Sequence, residues 1–98
     1  MAKKKEEAQE PKVIEGLTEG RIVHYVLDKG LGDRGEEGEH RPAIIVKVWD
    51  HGMGTSNLQV FTDGLNDGHP HDQGTVWKTS IQYSEEKEPG TWHFIEPA

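Results

Sequence analysis

Chemistry in this chain would have to come from histidines and carboxylates. There are six histidines, 18 aspartates and glutamates and no cysteine, so disulfides, thiolate metal sites and cysteine nucleophiles are all excluded. The densest stretch is residues 63–72, which holds Asp63, Asn66, Asp67, His69, His71 and Asp72. That is enough oxygen and imidazole for a cation, but the spacing is wrong. An EF-hand loop needs an oxygen ligand at its third position and a glutamate at its twelfth, and here those positions are Leu65 and Gly74. His69 and His71 make a ligand pair with no third or fourth ligand at a motif spacing. The segment therefore reads as a polar turn, with no metal and no cofactor expected.

No G-x-S-x-G, H-E-x-x-H or glycine-rich phosphate loop occurs, so no catalytic residue is assigned and the chain does not read as an enzyme. His24 can face Asp63 or Asp67 across a sheet, yet a strand histidine without a motif reads as structural. Asp63, Asn66 and Asp67 are first of all turn formers, because their side chains bond their own backbone and tolerate left-handed geometry. Their functional alternative is the rim of a binding surface, where they would select a cation or bond ribose hydroxyls or amides. The other candidate binding residues are aromatic. Alternation puts Trp49 and Phe61 on strand faces with Lys47 and Asp63, and Tyr25 and Trp77 extend them into an aromatic patch edged by acids and threonines.

These side chains must be positioned by strands. Residues 21–27, 42–49, 57–63, 75–83 and 91–95 alternate or are rich in β-branched and aromatic residues, and no segment carries a convincing helical period. In the second strand Ile44, Val46 and Val48 are the expected core face, and in the third Leu58 and Val60. Residues 28–40, with four glycines and many charges, read as a long exposed loop. Five short strands without room for crossover helices predict an all-β fold, a small five-stranded antiparallel barrel of SH3-like or Tudor-like type. The 98 residues suit one domain. Residues 1–12 read as a disordered charged arm and 13–98 as the barrel.

Composition narrows the partners. The net charge is −7 with scattered bases, which argues against general nucleic-acid binding. No apolar run approaches the roughly 20 residues of a membrane span, and the N-terminus lacks the apolar segment of a signal peptide.

Across residues 20–95 the chain resembles a group of small bacteriophage- and prophage-encoded proteins. The segments that carry the likeness are GRIVHYVL, HRPAIIVKVW, NLQVFTDG, TSIQYSEE and PGTWHF. The resemblance implies a phage or prophage origin, hence the host-cell cytoplasm or the virion, and implies no particular activity. The resulting expectation is a non-enzymatic protein-interaction module, either a virion component such as a capsid decoration or a modifier of a host protein, with self-association open. Its alternative is a nucleotide or other small-molecule binder that sequesters a host signal. A third reading, metal-assisted hydrolysis at His69, His71 and the aspartates, ranks last.

Overall fold

The structure is a computed structural model that describes residues 13–68 and 74–97. The charged arm expected at residues 1–12, and His69, His71 and Asp72 of the polar loop, lie outside the described residues. Within them the chain is all-β. The strands are β1 (Ile22–Val26), β2 (His40–Val48), β3 (Ser56–Phe61), β4 (Thr75–Tyr83) and β5 (Thr91–His93), and the only helical turns are two short 3-10 segments, Lys29–Leu31 and Gly64–Asp67.

The strands close into a barrel in chain order. β1, β2, β3 and β4 pair as an antiparallel meander, and β5 lies antiparallel to β1 but parallel to β4. The barrel is therefore mixed, where a purely antiparallel one was expected. The reason is parity: alternating directions cannot close around an odd number of strands, so one neighbouring pair must run the same way. Here it is the short pair Gln82 with Thr91 and Tyr83 with Trp92.

The barrel is filled by Val23 and Tyr25 from β1, Ala43, Ile45 and Val48 from β2, Leu58 and Val60 from β3, Ile81 from β4 and Trp92 from β5, with Leu17 and Leu27 at its ends. Burial of this apolar surface is the main stabilising term. The expected inward face of β2 is corrected. Ile44 is only half-buried and Val46 is exposed, whereas Ala43 and Ile45 point inward. A register shift between Ile45 and Lys47 inserts one extra residue, which returns Val48 to the core. Because β2 is apolar on both faces, alternation alone could not choose between them.

Two polar anchors fix the connections. The loop after β1 is held by Asp33, whose carboxylate accepts from the Tyr25 hydroxyl at 2.6 Å and the Asp28 N–H at 2.8 Å and pairs with Lys78 at 2.7 Å. The turn before β3 is held by Gly54, at φ +83° and packed so closely on Tyr83 that a Cβ would collide with it. Its carbonyl accepts from the Trp92 indole at 2.8 Å and the Ser56 hydroxyl at 3.0 Å.

Candidate functional site

The expected aromatic face is present in part. Trp49, Phe61 and Trp77 are exposed to 57%, 39% and 54%. Tyr25 does not join them: alternation on β1 turns Val23 and Tyr25 inward and Ile22 and His24 outward, and Tyr25 is fully buried. Desolvation, reinforced by the hydrogen bond to the Asp33 carboxylate, pushes the Tyr25 phenol well above its ordinary range. Trp49 stands apart near the end of β2, its indole N–H bonded to Asn57 at 3.0 Å and its ring 4.5 Å below the Lys47 ammonium.

Register places the rest. Ile22 lies opposite Ile44, Ile44 opposite Gln59, and Gln59 opposite Trp77, a row across four strands on the outside of the barrel. Pro42 and Phe61 flank it on one side and Val46 on the other, and Thr75 lies opposite Phe61. None of these eight outward residues is charged, in a chain of which 30% is charged, although His24, opposite Pro42, and exposed Lys47, next to Val46, border them. Sheets that face water on one side normally alternate apolar and polar, so this is an uncovered apolar face.

The polar loop residues separate. Asp63 is exposed and accepts from the Asn66 amide at 3.1 Å. Asp67 is buried instead: it receives Arg41 through two nitrogens at 2.8 and 2.7 Å, and the Asp63 N–H at 2.8 Å. That pairing holds the Arg41 guanidinium even more firmly protonated than usual, outweighing its desolvation. Asp67 is thus a structural carboxylate and not part of a binding rim. A cleft of about 310 Å³ bounded by His40, Arg41, Pro42, Phe61, Thr62 and Asp63 separates this loop from β2.

A second constellation went unforeseen. His24 on β1 pairs in register with His93 on β5, and His40 at the start of β2 lies opposite Val26, so three imidazoles meet on the outer surface where the barrel closes. Their ring centroids are 4.7–5.7 Å apart. Glu96 folds back over them. Its Oε1 is 2.9 Å from Nδ1 of His24, and its Oε2 is 2.8 Å from Nε2 of His93 and 3.4 Å from Nδ1 of His40. Lys87 stands 3.6 Å from the same carboxylate.

Burial separates the members. The His93 side chain is 3% exposed, while those of His24, His40 and Glu96 keep a quarter to a third of their surface. Desolvation pulls the His93 imidazole below its ordinary pKa, opposed by Glu96. Glu96 is held down at about 2, first by its own backbone N–H and then by the imidazoles, against its desolvation. His93 Nδ1 is buried with no hydrogen-bond partner, an uncommon state for such an atom. One donor atom from each of the four residues lies within 4.8 Å of all the others. Reading the sequence for ligand spacing missed this set because His24 and Glu96 are 72 residues apart. The local signal was the pair His93 and Glu96, three residues apart at the end of β5 and just beyond it.

Among the described residues no helix is long and apolar enough to cross a membrane. Compared with family models, curated proteins and solved structures, the chain matches none of them.

Proposed function

We propose that this chain is a phage- or prophage-encoded protein-interaction module that docks on a protein partner through the outer face of β1–β4. The observation that carries the reading is the uncharged row Ile22, Ile44, Gln59 and Trp77 with Phe61, Pro42 and Val46 around it. Contiguous apolar surface is uncommon on a soluble protein outside interfaces, and the centres of interfaces are depleted in charge and enriched in aromatics. Each described strand has a neighbour on both sides, although β5 covers β4 only at Gln82 and Tyr83, and this closure favours docking through side chains over strand addition. Recognition then rests on side chains, with Trp77 and Phe61 as anchors. The segments resembling phage proteins support the origin, and the net charge of −7 favours a partner that brings basic residues to the rim.

The nucleotide reading has less behind it. Asp67, one of its ribose ligands, is engaged with Arg41, and in the cleft beside Phe61 that arginine is already paired with Asp67 and Glu39 while Asp63 repels phosphate.

The test is site-specific photocrosslinking in phage-producing cells. A photoreactive residue at Gln59 captures a defined protein, one at exposed Glu86 does not, and Trp77→Glu abolishes the capture while leaving stability within about 1 kcal/mol. Equal capture from both positions, or none from 59, overturns the proposal. Mass spectrometry of purified particles then assigns the partner to the virion or to the host.

A further inference from the structure

The geometry points to a metal centre: we infer that His24, His40, His93 and Glu96 bind one divalent transition-metal ion of the zinc class. The four residues come from three strands and the segment after β5, and a donor atom of each lies within 4.8 Å of the rest. A tetrahedral ion with bonds of about 2.0–2.2 Å to imidazole nitrogen and carboxylate oxygen holds such donors roughly 3.3–3.5 Å apart. The observed contacts from Glu96 to the three imidazoles, 2.8, 2.9 and 3.4 Å, lie at or below that separation, and the whole donor set lies within 4.8 Å, so small side-chain rotations bring the four donors to it. The ion would take the place of the hydrogen bonds that join His24 and His93 to the carboxylate.

A purely structural knot explains less. A carboxylate can accept several hydrogen bonds and Lys87 stands 3.6 Å from this one, yet a hydrogen-bonded knot does not require three imidazole rings to converge with centroids as close as 4.7 Å. A cation that takes one lone pair from each ring accounts for all three converging on one point. His93 adds an independent sign: it is nearly fully buried, and hydrogen bonding accounts for only one of its ring nitrogens, Nε2 meeting Glu96 at 2.8 Å while Nδ1 has no partner. The donor set selects the metal. Nitrogen-rich coordination with no thiolate favours Zn²⁺, Co²⁺, Ni²⁺ or Cu²⁺ over Ca²⁺ and Mg²⁺, which prefer all-oxygen sites. The partial exposure of His24, His40 and Glu96 leaves one side of the ion open to solvent.

Titration of the full chain with Co²⁺, followed by its visible absorption and by Zn²⁺ competition, tests the site. The expected result is one ion per chain, displaced by Zn²⁺ and unaffected by excess Mg²⁺. His24→Ala and Glu96→Gln, both at part-exposed positions, each weaken binding by at least about tenfold while the apo proteins keep the wild-type circular dichroism. The paired variant His69→Ala/His71→Ala binds as wild type. Absence of saturable binding overturns the inference, as does binding that survives both His24→Ala and Glu96→Gln or is lost only in the His69/His71 variant. None of these outcomes bears on the docking face, which the crosslinking experiment tests separately.

Discussion

Two carboxylates, Asp33 and Asp67, hold loops to the barrel by accepting from groups that the strands bury. Asp67 has 4% of its side chain exposed and Arg41 has 16%, so removing one partner strands the other in a poorly solvated place. Asp67→Ala is expected to cost about 3 kcal/mol in urea denaturation. Asp63→Ala, at an exposed position, should stay within about 0.5 kcal/mol. Equal, small effects would return Asp67 to the rim role that its loop composition suggests. Tyr25 gives a pH-dependent counterpart. Its folded pKa lies above the ordinary value near 10, so its contribution is fully present below pH 10 and is lost as pH rises through the folded value. Melting temperature should therefore fall above pH 10, and fall less steeply in Tyr25→Phe. That variant also loses about 2 kcal/mol at neutral pH, because the hydroxyl donates to a charged acceptor. At this scale the sequence was legible where a residue's role is local. Asn66 bonding Asp63 is a turn, as its type implies. Arg41 with Asp67, joining β2 to the loop after β3, and His24 with Glu96, joined where the barrel closes, are tertiary contacts that leave no mark in residue spacing.

Strand identity was easier to read than strand facing. All five strands fall where alternation put them, and β3 buries Leu58 and Val60 as its pattern requires. β2 was inverted because valine and isoleucine occupy both of its faces and a bulge changes the parity midway. β4 has a similar irregularity: Asn57 on β3 stands where the register with β4 shifts, and Ser80 adopts φ +58°. The buried Asn57 side chain makes that shift tolerable. Its Oδ1 accepts from the Trp49 indole at 3.0 Å, the Thr79 hydroxyl at 2.9 Å and the Ser80 N–H at 2.9 Å. Backbone groups left unpaired by a bulge need a substitute partner, and Asn57 supplies one to the Ser80 N–H of β4 while also holding the Trp49 and Thr79 side chains. Asn57→Ala should destabilise by about 2–3 kcal/mol and raise amide exchange at Ser80 before exchange at Val60 changes. Asn57→Asp, which keeps an acceptor, should cost less. If both variants behave alike in denaturation and exchange, the side chain is filling space and not bonding the irregularity.

Closure of the whole barrel depends on its shortest strand. β5 has three residues and joins β1 and β4 through two register pairs each. Trp92 compensates with its size: it is fully buried, donates to the Gly54 carbonyl, and packs its ring 4.8 Å from Tyr83 and 5.2 Å from Phe94. On the outer side the histidine cluster crosses the same seam, with Glu96 tying the segment after β5 to β1 and β2. An ion bound there would join β1, β2, β5 and the following segment and would have no equivalent site in the unfolded chain. Binding therefore couples to folding. At a free Zn²⁺ concentration of about 100 times Kd the gain is about 2.7 kcal/mol, which for a domain of this size is roughly 10–20 °C in melting temperature. The shift should reverse with a chelator and be nearly absent in Glu96→Gln. It should also be accompanied by slower amide exchange in β5 and in its partner positions His24 and Tyr25, because those residues open first if closure is the weak point. A zinc-dependent rise in melting temperature without protection at this seam would mean that the ion stabilises the fold from another site.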